Sequence, residues 1–176
     1  IAGSACKRLA MVELRMHNDK AALAAAAQMK KHYGRAEALA HEKNLTRLYY
    51  PALNRMAAEL VVDASQAHWS GFAREQVERV RQSLKAATLS DPDFWSVAGL
   101  TELTIYDAVA RQTLAAQWPG IRDAYADLHM RIGSPRDWQS VATTARFVID
   151  RYQARAGKAE QQACGELLAV LEGYAQ

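Results

Sequence analysis

Helix-start signals recur along this chain at a near-constant interval, and that interval restricts the fold more than any single residue does. Thr46, Asp91 and Ser134 each suit a helix N-cap and lie 45 and 43 residues apart. In Asp91-Pro92 and Ser134-Pro135 a capping side chain precedes a proline. Proline is best tolerated at the first helical position, where its missing N–H would have no partner anyway. An aromatic follows each proline at the same offset, as Trp95 and Trp138. A fixed period above 40 residues in a helical chain predicts stacked helix pairs.

Hydrophobic periodicity predicts eight helices and no strand. The first covers about 3–17, with Leu9, Val12 and Met16 on its apolar face. The second covers about 20–42, with Leu23, Ala26, Met29, Tyr33, Ala36 and Ala40, and Asn44 ends it. The third begins between Thr46 and Pro51, keeping the proline in its first turn, and buries Leu53, Met56, Leu60 and Ala64. The fourth, about 68–88, carries Trp69, Phe72, Val77, Val80 and Leu84. The fifth, about 92–116, has only Glu102 and Asp107 as charges between Phe94 and Val109, which predicts a central position. The sixth starts near Pro119, includes Ile121, Tyr125, Leu128 and Ile132, and closes at Gly133. The last two cover about 135–156 and 158–175. They group into four pairs, about 1–43, 45–88, 91–132 and 134–176, in a single helical-repeat domain spanning 1–176.

Short fragments recur between the pairs. Ala5-Cys6-Lys7-Arg8-Leu9-Ala10 is similar to Ala52-Leu53-Asn54-Arg55-Met56-Ala57, and Val97-Ala98 after Trp95 returns as Val141-Ala142 after Trp138. Tyr33-x-x-Ala36-x-x-Leu39-Ala40 resembles the second-helix pattern of a tetratricopeptide-type repeat. The likeness is concentrated in the first 60 or so residues. The period is about 44 residues rather than the ~34 of that family, and the Trp-x-x-Leu-Gly-x-x-Tyr opening is missing. Residues 91–176 match in architecture alone. The resemblance implies an all-α fold of antiparallel helices, either a right-handed α-solenoid or a compact helical-repeat bundle, with a partner-binding surface. A start at Ile1 rather than Met adds the expectation of a fragment of a larger bacterial protein.

Composition narrows the function classes. The 176 residues are 50% hydrophobic and 23% charged, an ordinary balance for a globular chain. A net charge of +3 falls short of a nucleic-acid footprint. Lys7-Arg8, Lys30-Lys31 with Arg35, and Arg79-x-Arg81 with Lys85 are the basic clusters. The last is interleaved with glutamates, so it reads as a solvated, salt-paired face rather than a nucleic-acid surface. No apolar run reaches the ~18 residues of a membrane span. Cys6 and Cys164 form no CxxC and predict reduced thiols in a cytoplasmic protein.

Few residue patterns point to chemistry. Glu13-x-x-x-His17 and Glu37-x-x-x-His41 each place a carboxylate and an imidazole on one helix face. Both lie near helix C-termini, where histidine suits the helix dipole, and neither matches a di-iron or HExxH spacing. No metal and no cofactor is expected. Trp69, Trp95, Trp118 and Trp138 sit near helix starts and are expected to wedge between helix pairs. Glu102, on the most apolar helix, is either paired with an arginine of a neighbouring helix or a carboxyl of raised pKa.

The pattern as a whole predicts a non-catalytic protein or peptide interaction module. Polar residues of first helices would line its concave face, which nominates Lys7, Arg8, Asn54 and Arg55 as contacts for an acidic partner or a neighbouring domain. The competing classes are a ligand-binding or enzymatic pocket centred on Glu102, and a structural spacer.

Overall fold

The computed structural model describes residues 1–43, 46–64, 69–131 and 133–176. Asn44, residue 68 and Ile132, which the sequence places at a helix end, a helix start and an apolar stripe, lie outside the described residues. The fold is all-α. Among the described residues there are eight helices: α1 (Ala2–Arg15), α2 (Asp19–Glu42), α3 (Tyr49–Val62), α4 (Arg74–Ser90), α5 (Phe94–Arg111), α6 (Leu114–Arg131), α7 (Pro135–Gln153) and α8 (Lys158–Tyr174). No strand occurs among the described residues.

Several helix ends follow directly from local chemistry. Ser134 caps α7, accepting from the Asp137 N–H, and Asp137 returns the contact to the Ser134 N–H. Pro135 stands at the first helical position as expected. At α5 the cap is Asp93, not Asp91. Asp93 Oδ1 accepts from Ser96 N at 2.7 Å and Ser96 Oγ accepts from Asp93 N at 3.2 Å. Asp91 instead closes α4. A reciprocal box satisfies two otherwise orphaned donors, which a lone Asp before proline cannot do.

Two boundaries depart from the expected ones. The fifth helix does not run to residue 116: Gln112 takes a left-handed conformation (φ 57°) and the chain turns into α6 at Leu114. Pro119 therefore lies inside α6 rather than at its start. The carboxylate that caps α6 comes from α8, where Glu160 accepts from Leu114 N at 2.9 Å and Ala115 N at 3.0 Å. The fourth helix starts at Arg74, leaving Trp69 and Phe72 in the preceding segment. There the two rings meet edge to face at 5.6 Å, and Trp69 Nε1 donates to Glu59 Oε1 at 3.1 Å.

Packing closes the stack. In an open solenoid each repeat touches only its neighbours in sequence. Here α7 packs on α3 and α5, and α6 packs on α8. Of the two forms expected, the chain takes the compact bundle. Helix α3 is its hub, touching α2, α4, α5 and α7, and it lies more extensively against α2 than against α4. The central position predicted for α5 holds, with buried residues all round it from Phe94 to Val109. Close approach there depends on Gly99, where a Cβ would lie 2.7 Å from Leu84 and 3.2 Å from Leu53.

The α1 stripe is a correction. Leu9, Val12 and Met16 are 52%, 52% and 72% exposed, whereas Gly3 and Ala10 are buried and Cys6, Met11 and Leu14 pack partly on the core. Small residues on that second face let α1 settle closely on α2: the ring of Tyr33 occupies the space that a Gly3 side chain would need. The four tryptophans also divide. Trp118 and Trp138 are buried, Trp69 is half-buried, and Trp95 is 46% exposed.

Candidate functional site

Helices α1, α3, α5 and α7 surround one cavity of about 840 Å³, and Tyr49, Tyr50, Trp95 and Arg136 reach it from the first turns of the last three. Helix α1 contributes Ser4, Lys7, Arg8 and Met11, and Tyr33 comes from α2. Tyr49, Tyr50, Leu53 and Asn54 come from α3, with Arg47 just before it. Asp93, Trp95 and Glu102 come from α5 and its cap, and the α7 wall runs from Arg136 to Thr144. Early helical turns carry the positive end of the backbone dipole, so this arrangement favours negative charge inside.

The cations and carboxylates of the cavity are not equivalent. Arg8, Arg47 and Arg136 are exposed and make no ion pair among the described residues. Asp93 spends its carboxylate on the α5 cap. Glu102 accepts from the Tyr106 hydroxyl. The charge left available to an incoming ligand is therefore positive. The walls between are aromatic and apolar: Tyr33 meets Tyr50 edge to face at 6.1 Å, and Leu53, Val141 and Met11 fill the gaps.

Lys7 joins three elements at the floor. Its Nζ donates to Asn54 Oδ1 on α3 and to Thr144 Oγ1 on α7, both at 3.0 Å. Burial lowers the Lys7 pKa, and the charge of Glu102 partly offsets this. Burial raises the Glu102 pKa, against Lys7 and the Tyr106 hydrogen bond. Tyr106 and Tyr125 are pushed well above the usual phenol range, by burial first and then by Glu102. Each group resists charge because few solvent dipoles reach it.

The sequence-nominated residues thus divide. Lys7, Arg8, Asn54 and Glu102 lie in the same cavity, joining the expected groove and the expected pocket into one site. Arg55 does not reach it. Its guanidinium is buried between Glu37 and Glu59, fastening α2 to α3. Adjacent helical residues point about 100° apart, so Asn54 and Arg55 face different sides. Glu37 is thereby committed to Arg55, which separates it from the Glu37…His41 pairing. Among the described residues no arginine meets Glu102, which accepts a hydrogen bond from Tyr106 on its own helix.

Arg47, Arg136, Thr144, Tyr50 and Trp95 were not legible as site residues. For the two arginines a signal existed: Arg47 stands two residues before α3 begins, and Arg136 is the second residue of α7.

The class of molecule that fold and site define is an all-helical bundle with a cationic, aromatic-walled cavity between its odd-numbered helices. No protein-family model matches the chain, and neither curated proteins nor solved structures yield a match to it. No helix among the described residues is long and apolar enough to cross a membrane.

Proposed function

We propose that this chain is a non-catalytic interaction module that takes an acidic segment of a partner protein, or of a neighbouring domain, into the cavity between α1, α3, α5 and α7. The observation that carries this reading is the imbalance of available charge. Arg8, Arg47 and Arg136 line the cavity with no ion pair among the described residues, while its two carboxylates are engaged within the fold. Guanidinium groups suit carboxylates because their planar donors fit both oxygens. The Gln139 side-chain carbonyl and the Ser140 hydroxyl add uncharged polar partners for a peptide backbone. The cavity volume falls within the range of ordinary ligand pockets. A structural spacer has no need of such a cavity. The free thiols Cys6 and Cys164 suit a cytoplasmic location.

Binding of fluorescent acidic and basic peptides, followed by anisotropy, tests the reading. Acidic peptides should bind, and added salt should weaken them. Arg8→Ala with Arg136→Ala should lower affinity about tenfold or more, because each charge-assisted hydrogen bond contributes roughly 1.5–3 kcal/mol. The far-ultraviolet circular dichroism should not change. Equal affinity for both peptide classes, or an unaffected double variant, overturns it.

A further inference from the structure

Lys7 and Glu102 share the cavity floor, yet no ion pair joins them. The lysine nitrogen is held instead by two uncharged acceptors, Asn54 Oδ1 and Thr144 Oγ1, at 3.0 Å each. Neither acceptor carries a charge, so neither supplies the counter-ion that would hold the nitrogen as an ammonium. Lys7 lines the cavity, so an entering ligand meets its side chain. Glu102, held by Tyr106, is the acid nearest this amine in charge coupling, and Arg8, Arg47 and Arg136 stand around the same space.

We infer that Lys7 adds to the carbonyl carbon of a small anionic carbonyl compound, a 2-oxo acid or an aldehyde acid, and forms an imine in this cavity. The reaction asks for a neutral amine and a protonated acid together. Burial favours both, since it opposes charge on Lys7 and on Glu102 more strongly than their mutual attraction restores it. The Nζ lone pair forms the N–C bond, and the carbonyl π pair moves to oxygen, which takes the Glu102 proton. The nitrogen then returns a proton to the Glu102 carboxylate. The carbinolamine hydroxyl takes that proton back as it leaves as water, and the C=N bond forms. Nothing is oxidised or reduced. The ligand's carboxylate lies against the arginines. This inference goes beyond peptide binding and does not rest on it, because the small ligand needs only the floor and one arginine.

The test is reductive trapping. The chain is incubated with glyoxylate and cyanoborohydride at pH 7, and its lysines are mapped by mass spectrometry. Hydride from the reagent reduces the imine to a carboxymethyl amine. Lys7 should be labelled about tenfold faster than the exposed Lys20, Lys43 and Lys158. Lys7→Arg should remove that product alone. Labelling of Lys7 no faster than the exposed lysines overturns the inference, and this comparison needs no variant to fold. Lys7 labelling should also pass through a maximum with pH, and Glu102→Gln should abolish its alkaline limb. An identical profile in Glu102→Gln overturns the part given to Glu102.

Discussion

Lys7 Nζ donates to Thr144 Oγ1 at 3.0 Å across 137 positions of sequence, fastening the first helix to the seventh. The same nitrogen reaches Asn54 on α3, so one side chain links three helices around the cavity. Thr144→Val keeps the shape and removes the acceptor. It should cost about 1 kcal/mol, the usual net value of such a bond. Urea denaturation measures this, and a double-mutant cycle with Lys7→Met isolates the pair. A coupling near zero means the contact does not hold the bundle closed.

Arg55 and Arg8 should respond in opposite ways to truncation. Arg55→Ala leaves Glu37 and Glu59 without a counter-charge in a buried place, and should cost about 3–5 kcal/mol. Arg8→Ala removes an exposed side chain and should leave the denaturation midpoint unchanged while weakening ligand binding. Equal stability of the two variants contradicts the placement of Arg55.

Glu160 should govern the start of α6. Its carboxylate takes the Leu114 and Ala115 amides and the Tyr152 hydroxyl, the last at 2.7 Å. Glu160→Ala should cost roughly 1–2 kcal/mol, as loss of a helix cap does. Hydrogen exchange should quicken first at Leu114 and Ala115. Uniform quickening over the whole chain, with no local excess, counts against the cap.

Two glycines should behave oppositely. Gly133 has φ +127°, and a Cβ there would meet Trp138 Nε1 at 2.6 Å and Phe94 at 2.9 Å. Gly133→Ala should therefore destabilise by at least about 1–3 kcal/mol, from crowding and backbone strain together. Gly120, inside α6, faces open space. Gly120→Ala should stabilise by up to about 1 kcal/mol through helix propensity. Thermal melts of the two variants should shift in opposite directions.

Alkaline pH should weaken the fold partly through Cys164. Burial pushes its thiol up to about 12 from an ordinary value of 9.0. The native state thus holds the proton after the unfolded chain has released it. The thiol's contribution is complete below about pH 9 and declines as pH rises towards 12, by at most about 1.4 kcal/mol per pH unit. Cys164→Ala should flatten that decline between pH 9 and 10.5 in denaturation midpoints. An unchanged slope assigns the loss to other groups, with Tyr33 and Tyr152 also raised by burial.

Legibility in the sequence followed the range of the interaction. Ser134, Pro135 and Asp137 specify the start of α7 within four residues, so reading them in order suffices. The apolar run from Phe94 to Val109 marked α5 as central because few surfaces could cover it otherwise. The Asp93 cap was misplaced by two residues, since two acidic side chains compete there and only backbone geometry selects one. Leu9, Val12 and Met16 misled for another reason. Their spacing describes an apolar face, but not whether another helix covers it.

Local sequence sufficed to mark the chain as helical and to place the starts of most helices seen among the described residues. Those features rest on hydrogen bonds and side-chain periodicity within a few residues. Packing between distant helices set the rest: α7 closes on α3, Glu160 caps α6, and Lys7, Asn54, Glu102 and Thr144 meet in one cavity. Such meetings depend on how closely helices approach, and so on volumes at their crossings. At Gly99, which lacks a Cβ, Leu53 and Leu84 can come that near. That distance is a property of three helices packed together, and none of the three carries it alone.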